Sequence, residues 1–169
     1  MLYNHASELA IRAAIYLALQ PPGKLSPVHE IAQGTGLPEP YLAKILRRLS
    51  STGLVRAFRG PGRGMELGRS PESISLWAVV RAMEGPARPE WCVLGLQACS
   101  RDCPCPMHDQ WLPLREQMQR LLDETTLATL AQGIRQRMER GQEPWRRVKK
   151  EEAETSRGRS REGKKRKAS

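Results

Sequence analysis

Cys92, Cys99, Cys103, Cys105 and His108 fall within seventeen residues and include every cysteine of a 169-residue chain. The spacing is C-x6-C-x3-C-x-C-x2-H. Thiolates are soft donors that suit iron–sulfur clusters, and three cysteines with a histidine are equally a common zinc set. Neighbouring thiols can also be oxidised reversibly with no metal at all. The chain begins Met-Leu-Tyr-Asn-His, without a basic n-region, a long apolar run or a small-residue cleavage site. A cytoplasmic setting is therefore expected, where such a group is a metal site or redox switch rather than a disulfide framework. The other two histidines, His5 and His29, read as ordinary surface residues.

These ligand-type residues are embedded in a chain of net charge +10 that is unevenly charged. Residues 145–169 hold 11 Lys/Arg against 4 Asp/Glu, with few apolar side chains to bury, and read as a disordered, solubilising tail. A second basic region, residues 37–69, carries 7 basic and 2 acidic residues within a clearly patterned segment. Both can bind nucleic acid electrostatically, because neutralised phosphates release counterions. No apolar run approaches the roughly 18 residues of a membrane span, so no membrane partner is expected.

The pattern along the chain predicts the elements that must position the cysteines. Ser7 to Leu19 is a helix with Leu9, Ala13, Tyr16 and Leu17 on its buried stripe, ended by Pro21-Pro22-Gly23. Ser26 is expected to cap a second helix with Pro27 at its first position, and Gly34-Thr35-Gly36 to turn the chain. A third helix starts at Pro38-Glu39-Pro40 and runs through Leu49, with Gly53 as its left-handed stop. Leu54 to Phe58, a Gly/Pro turn and Met65 to Leu67 then read as a hairpin. Ser75 opens a helix over Leu76 to Met83. His108 to Leu122 is an amphipathic helix, and Thr126 caps a short final turn through Leu130. Prolines 86, 89, 104 and 106 make the cysteine segment a loop.

Helix, helix, tight turn, helix and basic hairpin is the order of a winged helix-turn-helix. The fold class is mainly α with a small β-hairpin wing, followed by a long helix. The third helix would lie in the major groove with Glu39, Lys44, Arg47 and Arg48 on its exposed face. Arg59 and Arg63 flank the narrow hairpin tip, suited to phosphate or minor-groove contact. A protein-binding winged helix is the competing reading of the same pattern.

Leu54-Val-Arg-Ala-Phe-Arg-Gly-Pro-Gly-Arg-Gly64 and Ser75-Leu-Trp-Ala-Val-Val-Arg-Ala-Met-Glu-Gly-Pro86 resemble two motifs of the IscR/NsrR family of bacterial winged-helix transcription factors, the Rrf family. Tyr41-Leu42-x-Lys44-Ile45-Leu46 is similar to that family's recognition helix, which adds Tyr41 to the expected DNA-facing residues. The resemblance covers residues 1–132. It implies a homodimer on palindromic double-stranded operator DNA, joined through the helix after the cysteines. Trp111, Leu114, Met118 and Leu121 would then be interface residues, and an apolar stripe near the end of a small domain needs a partner surface on physical grounds too.

The resemblance also ranks the ligands. Cys105-Pro-Met-His108-Asp-Gln-Trp111 matches the end of the IscR-like ligand segment, which implies a 2Fe–2S cluster on Cys92, Cys99, Cys105 and His108. NsrR-like members use three cysteines and an acid in the first helix for a 4Fe–4S cluster, and Glu8 stands in that place as the alternative ligand. Cys103 is an extra cysteine relative to the family, able to substitute as a ligand or act as a redox-active neighbour. The first gap, six residues, is one longer than usual, Gly64-Met65 replaces the wing's Gly-Tyr, and Ala43 replaces a sequence-filtering glutamate. A few members ligate through a helix-two histidine, which here would be His29.

The organisation expected is residues 1–85 as DNA-binding domain, 86–106 as cluster-binding loop, 107–132 as dimerisation helix with a short terminal turn, and 133–169 as basic tail. No nucleophile–base constellation, phosphate-binding glycine loop or carboxylate pair is present, so neither enzyme activity nor a small-molecule substrate is expected. The function implied is a repressor controlled by an iron–sulfur cluster that senses redox state, nitric oxide or iron–sulfur status. The alternative is a zinc-stapled or thiol-based DNA-binding module without the cluster.

Overall fold

The computed structural model describes residues 3–60, 63–85, 92, 94–96, 100 and 102–145. It divides into two compact units, Met1–Gln136 and Arg137–Ser169. Helix α1 (His5–Ala18) is capped by Asn4, whose Oδ1 accepts from the Ser7 N–H at 2.9 Å. Its alanines at positions 10, 13 and 14 are buried, and α1 packs against α2 (Val28–Thr35), α3 (Glu39–Ser51) and α4 (Leu76–Glu84). Short side chains on that face allow the close approach that three neighbours require. Ile31, Leu42, Leu46, Leu49, Ile74, Val79 and Val80 fill the core between them.

Gly36 ends α2 at φ 66°, the left-handed geometry expected of a glycine in this turn. Its neighbour's N–H, on Leu37, returns to the Ala32 carbonyl at 3.1 Å, so the turn satisfies its own backbone. The first two helices are also clamped by side chains. Glu30 accepts from the Tyr16 hydroxyl at 3.1 Å and from Lys24 at 2.5 Å.

The wing is the antiparallel pair β1 (Val55–Phe58) and β2 (Gly64–Leu67), with Val55 opposite Leu67 and Phe58 opposite Gly64. Ser26 differs from its expected role. It makes no cap bond, and Pro27 is the N-cap of α2. Ser26 is instead buried and exchanges two backbone hydrogen bonds of 2.9 Å with Met65, because its N–H and C=O complete the edge of β2. Gly64 is required where β2 passes that segment: a Cβ there would lie 2.9 Å from the Leu25 backbone carbon.

Ser75 caps α4, accepting from the Ala78 N–H at 3.2 Å. Helix α5 (His108–Glu124) returns to the start of α4, where the Leu76 N–H donates to Thr125 at 2.7 Å and the Leu127 N–H to Ile74 at 2.9 Å. The final segment corrects the expectation of a short turn. Thr126 does cap it, but α6 runs Leu127–Glu139, so helix continues six residues past the expected start of the tail. Gln132, Arg135, Gln136, Arg137 and Met138 support that continuation by propensity. Most of the expected tail, residues 146–169, lies outside the described residues, as does most of the loop expected over 86–106. Among the described residues, no helix is long and apolar enough to cross a membrane.

Candidate nucleic-acid interface and cysteine centre

Helix α3 buries Leu42, Ile45, Leu46 and Leu49 against the core, which forces the intervening residues outward. At 3.6 residues per turn, Lys44 and Arg47 centre the outer face, while Tyr41 and Arg48 lie on its margin beside Ile45. Glu39, Tyr41, Lys44 and Arg47 are all exposed. Neither Lys44 nor Arg47 takes part in an ion pair among the described residues. Arg48 is exposed as well, yet its Nε donates to the Ala82 carbonyl of α4 at 2.8 Å.

Arg56 and Glu66 face each other across the wing and pair at 2.7 Å. That pair cancels the charge of the wing's middle, so the excess positive charge sits at the tip on Arg59 and Arg63, both exposed. The Arg63 N–H donates to Gly60 at 3.0 Å across the tip, while Pro61 and Gly62 between them lie outside the described residues. Phe58, the chain's one phenylalanine, is also exposed on β1, so the wing presents an apolar ring beside its arginines.

The structure sorts the ligand-type residues by burial. Cys105 and His108 are 9% and 7% exposed, and the His108 N–H donates to the Cys105 carbonyl at 2.9 Å as α5 begins. Cys92 is half-buried in a turn closed by the Gly95 N–H at 2.9 Å. Cys103 is exposed, in a tight turn where its N–H donates to Ser100 Oγ at 3.2 Å. Cys99 lies outside the described residues. Among the described residues no three His, Cys, Asp or Glu side chains converge as a metal-holding group. The donors themselves, a shielded thiol and a shielded imidazole at one helix start and a second, half-shielded thiol, fit an iron–sulfur cluster or zinc.

Glu8 is engaged elsewhere. One carboxylate oxygen meets His5 Nδ1 at 3.1 Å and the other Arg12 at 3.4 Å. His29 is exposed on α2. Sequence reasoning missed Glu84, whose Oε1 accepts from the Asn4 N–H at 2.7 Å and the Ser7 hydroxyl at 2.6 Å. This carboxylate ties the end of α4 to the start of α1. Ser7 is wholly buried, and an unpaired hydroxyl there would be costly, which is the signal that points to such a partner.

Helix α5 buries only His108 and Leu122 within the chain. Trp111, Leu114, Met118 and Leu121 follow one another at spacings of three, four and three residues, the seam of a helix that packs on another helix. Leu114 and Leu121 are 51% and 58% exposed, whereas Trp111 and Met118 are half-buried.

Comparison with known proteins agrees with the winged-helix fold. The family model Rrf2, described as iron-dependent transcriptional regulator, matches residues 3–133. A protein of Aquifex aeolicus, provisionally named an HTH-type transcriptional regulator, is 33% identical over 132 residues, covering 77% of this chain and 91% of its own. The HTH-type transcriptional regulator IscR of Yersinia enterocolitica is 31% identical over 121 residues, 72% of this chain and 73% of its own. Among solved structures, CymR, the global cysteine regulator of B. subtilis, superposes with a TM-score of 0.68 at 27% identity, over 79% of this chain and 98% of its own.

Proposed function

The chain belongs to the Rrf2 family of iron-dependent transcriptional regulators, and from that premise we propose that it is a repressor whose operator binding is set by an iron–sulfur cluster. Winged-helix fold and family together make it a DNA-binding regulator rather than an enzyme, acting as a dimer on double-stranded operator DNA. The finer reading is carried by one observation: Cys105 and His108 are both buried at the start of α5, the helix that leaves Leu114 and Leu121 exposed.

In this reading Cys92, Cys99, Cys105 and His108 hold a 2Fe–2S cluster. When bound, such a cluster supplies a centre whose charge and ligation change with oxidation, nitric oxide or iron–sulfur supply. Glu39, Tyr41, Lys44 and Arg47 read the major groove, and Arg59 and Arg63 hold the backbone or minor groove. Trp111, Leu114, Met118 and Leu121 join two copies, so that two heads address a palindrome. Cys105 and His108 sit where the cysteine segment becomes the dimer helix. Cys105 and His108 would hold the group at the start of α5, so a change in its ligation would bear on that helix start and through it on the pose of the two heads.

In the 4Fe–4S alternative Glu8 would exchange its partly exposed contacts with His5 and Arg12 for iron, at small cost. A thiol-based reading without a cluster draws on the exposure of Cys103. Anaerobic purification with an absorption spectrum and iron, sulfide and zinc analysis separates these readings. About two irons per protomer is the expected result, about four implies Glu8, and stoichiometric zinc or bare thiol removes the iron–sulfur reading. Absence of operator binding in both loaded and stripped protein would sink the regulator reading itself.

A further inference from the structure

The last turn of α4 contains a carbonyl that its own helix cannot satisfy. In an α-helix the Ala82 carbonyl pairs with the N–H four residues on. That residue is Pro86, which has no N–H to give. The last intrahelical bond is the one before it, from Gly85 N–H to the Arg81 carbonyl at 2.9 Å. Ala82 is itself buried, so a lone carbonyl would carry the cost of an unmet hydrogen bond. Arg48 supplies the missing donor at 2.8 Å, and its positive charge also suits the negative end of the helix dipole.

This places Arg48 differently from Lys44 and Arg47. All three are exposed basic residues of α3, but Arg48 stands on the margin of the outer face and commits its Nε to α4. The other side of the same turn is held by Glu84, through Asn4 and Ser7 of the α1 start. The end of α4 is therefore gripped from two helices, and the residues that follow it lead directly to Cys92.

We propose that Arg48 is a positioning residue that fixes the recognition helix to the entry of the cysteine segment, and is not a contact to DNA. Within the proposed function, which this regulatory consequence rests on, it is the strut by which movement at the base of the cysteine segment reaches the DNA-reading helix. The positioning itself stands on Ala82, Pro86 and the guanidinium, whatever the cysteines bind.

Two substitutions test it on the full chain. Arg48→Ala removes charge and donor, whereas Arg48→Lys keeps the charge but loses the planar Nε–H. Binding to a random-sequence duplex is measured across a salt series, with Arg47→Ala as the reference. Arg47→Ala lowers the slope of log affinity against log salt by about 0.9 for each phosphate it no longer neutralises. Arg48→Ala leaves that slope unchanged. Amide hydrogen exchange in the last turns of α3 and α4 quickens several-fold in both Arg48 variants, lysine included. A slope that falls with alanine and returns with lysine, or exchange rates equal to wild type, overturns the proposal. Wild-type operator affinity in loaded and stripped protein is the separate arm. If it does not differ, the cluster reading fails while the positioning role is still decided by exchange and slope.

Discussion

Helices α3 and α5 are both amphipathic, and their apolar faces have opposite fates. α3 buries Leu42, Ile45, Leu46 and Leu49 inside its own chain, with Leu42, Leu46 and Leu49 wholly inaccessible. α5 repeats apolar residues just as regularly but leaves Leu114 and Leu121 more than half exposed. The difference teaches that periodicity reports a face to be covered without saying which molecule covers it. In α3 the cover is the rest of the domain, and the outer face is free for DNA. In α5 the proposed cover is a second copy, which would make one chain an incomplete reader of a palindrome.

The sharpest way to break this contrast is to charge the α5 seam. Leu114→Glu with Leu121→Glu yields a monomer by analytical ultracentrifugation and weakens binding to a palindromic operator by about 100-fold, since the second head no longer binds in an intramolecular step. Far-ultraviolet circular dichroism and thermal midpoint stay close to wild type, because both leucines are exposed in the single chain. If the protein unfolds instead, α5 belongs to an intramolecular core and the contrast with α3 collapses.

The matching change in α3 has the opposite signature. Leu46→Ala opens a cavity in the core and costs about 2–5 kcal/mol of folding stability, read from denaturant midpoints, while the folded fraction remains dimeric. Dimer loss at unchanged stability would contradict the assignment.

A smaller effect comes from the wing. Arg63→Gly removes one of the two charges at the hairpin tip and leaves the glycine-rich turn intact. Affinity for duplex DNA falls, and the salt slope drops by about 0.9 if this arginine neutralises one phosphate. An unchanged slope would take Arg63 out of the interface.

The smallest effect tests the clamp behind α3. Glu30 is held below the ordinary carboxylate value of 4.5, chiefly by its hydrogen bond from Lys24 and also by that from Tyr16. Tyr16 is correspondingly pushed up to about 12 by burial and then by Glu30. A depressed carboxylate contributes stability that is present above its unfolded pKa and is lost as pH falls through the folded one. Glu30→Gln therefore slightly lowers stability at neutral pH and flattens the acid side of the stability profile below about pH 4.5. Parallel acid profiles for the two proteins would dismiss the clamp.

Most of the winged helix was legible because its cues are local. Gly36 and Gly53 stop helices at positive φ, Ser75 caps α4, and the apolar period of α3 names its own buried face. What escaped the sequence depends on contacts distant along the chain. Ser26 reads as a helix cap until Met65 claims its backbone, and the bond from Arg48 to the Ala82 carbonyl joins residues 34 positions apart. The extent of α6 was hidden for another reason: Gly133 interrupts the apolar pattern, yet the residues around it have helical propensity enough to carry on. Among the ligand-type residues, sequence grouped all five together, and burial separates Cys105 and His108 from Cys103.

The bond between Ser26 and Met65 has a consequence for the operator. It fastens the hairpin to the segment leading into α2, and so to the scaffold that also carries α3. If α3 and the wing read DNA as proposed, the two reading elements of one head form a calliper. Operators whose grooves do not match that opening must themselves twist or bend to be gripped, at a cost that depends on the stiffness of base steps the protein never touches. On that reading, choice among operators is partly a measurement of DNA elasticity.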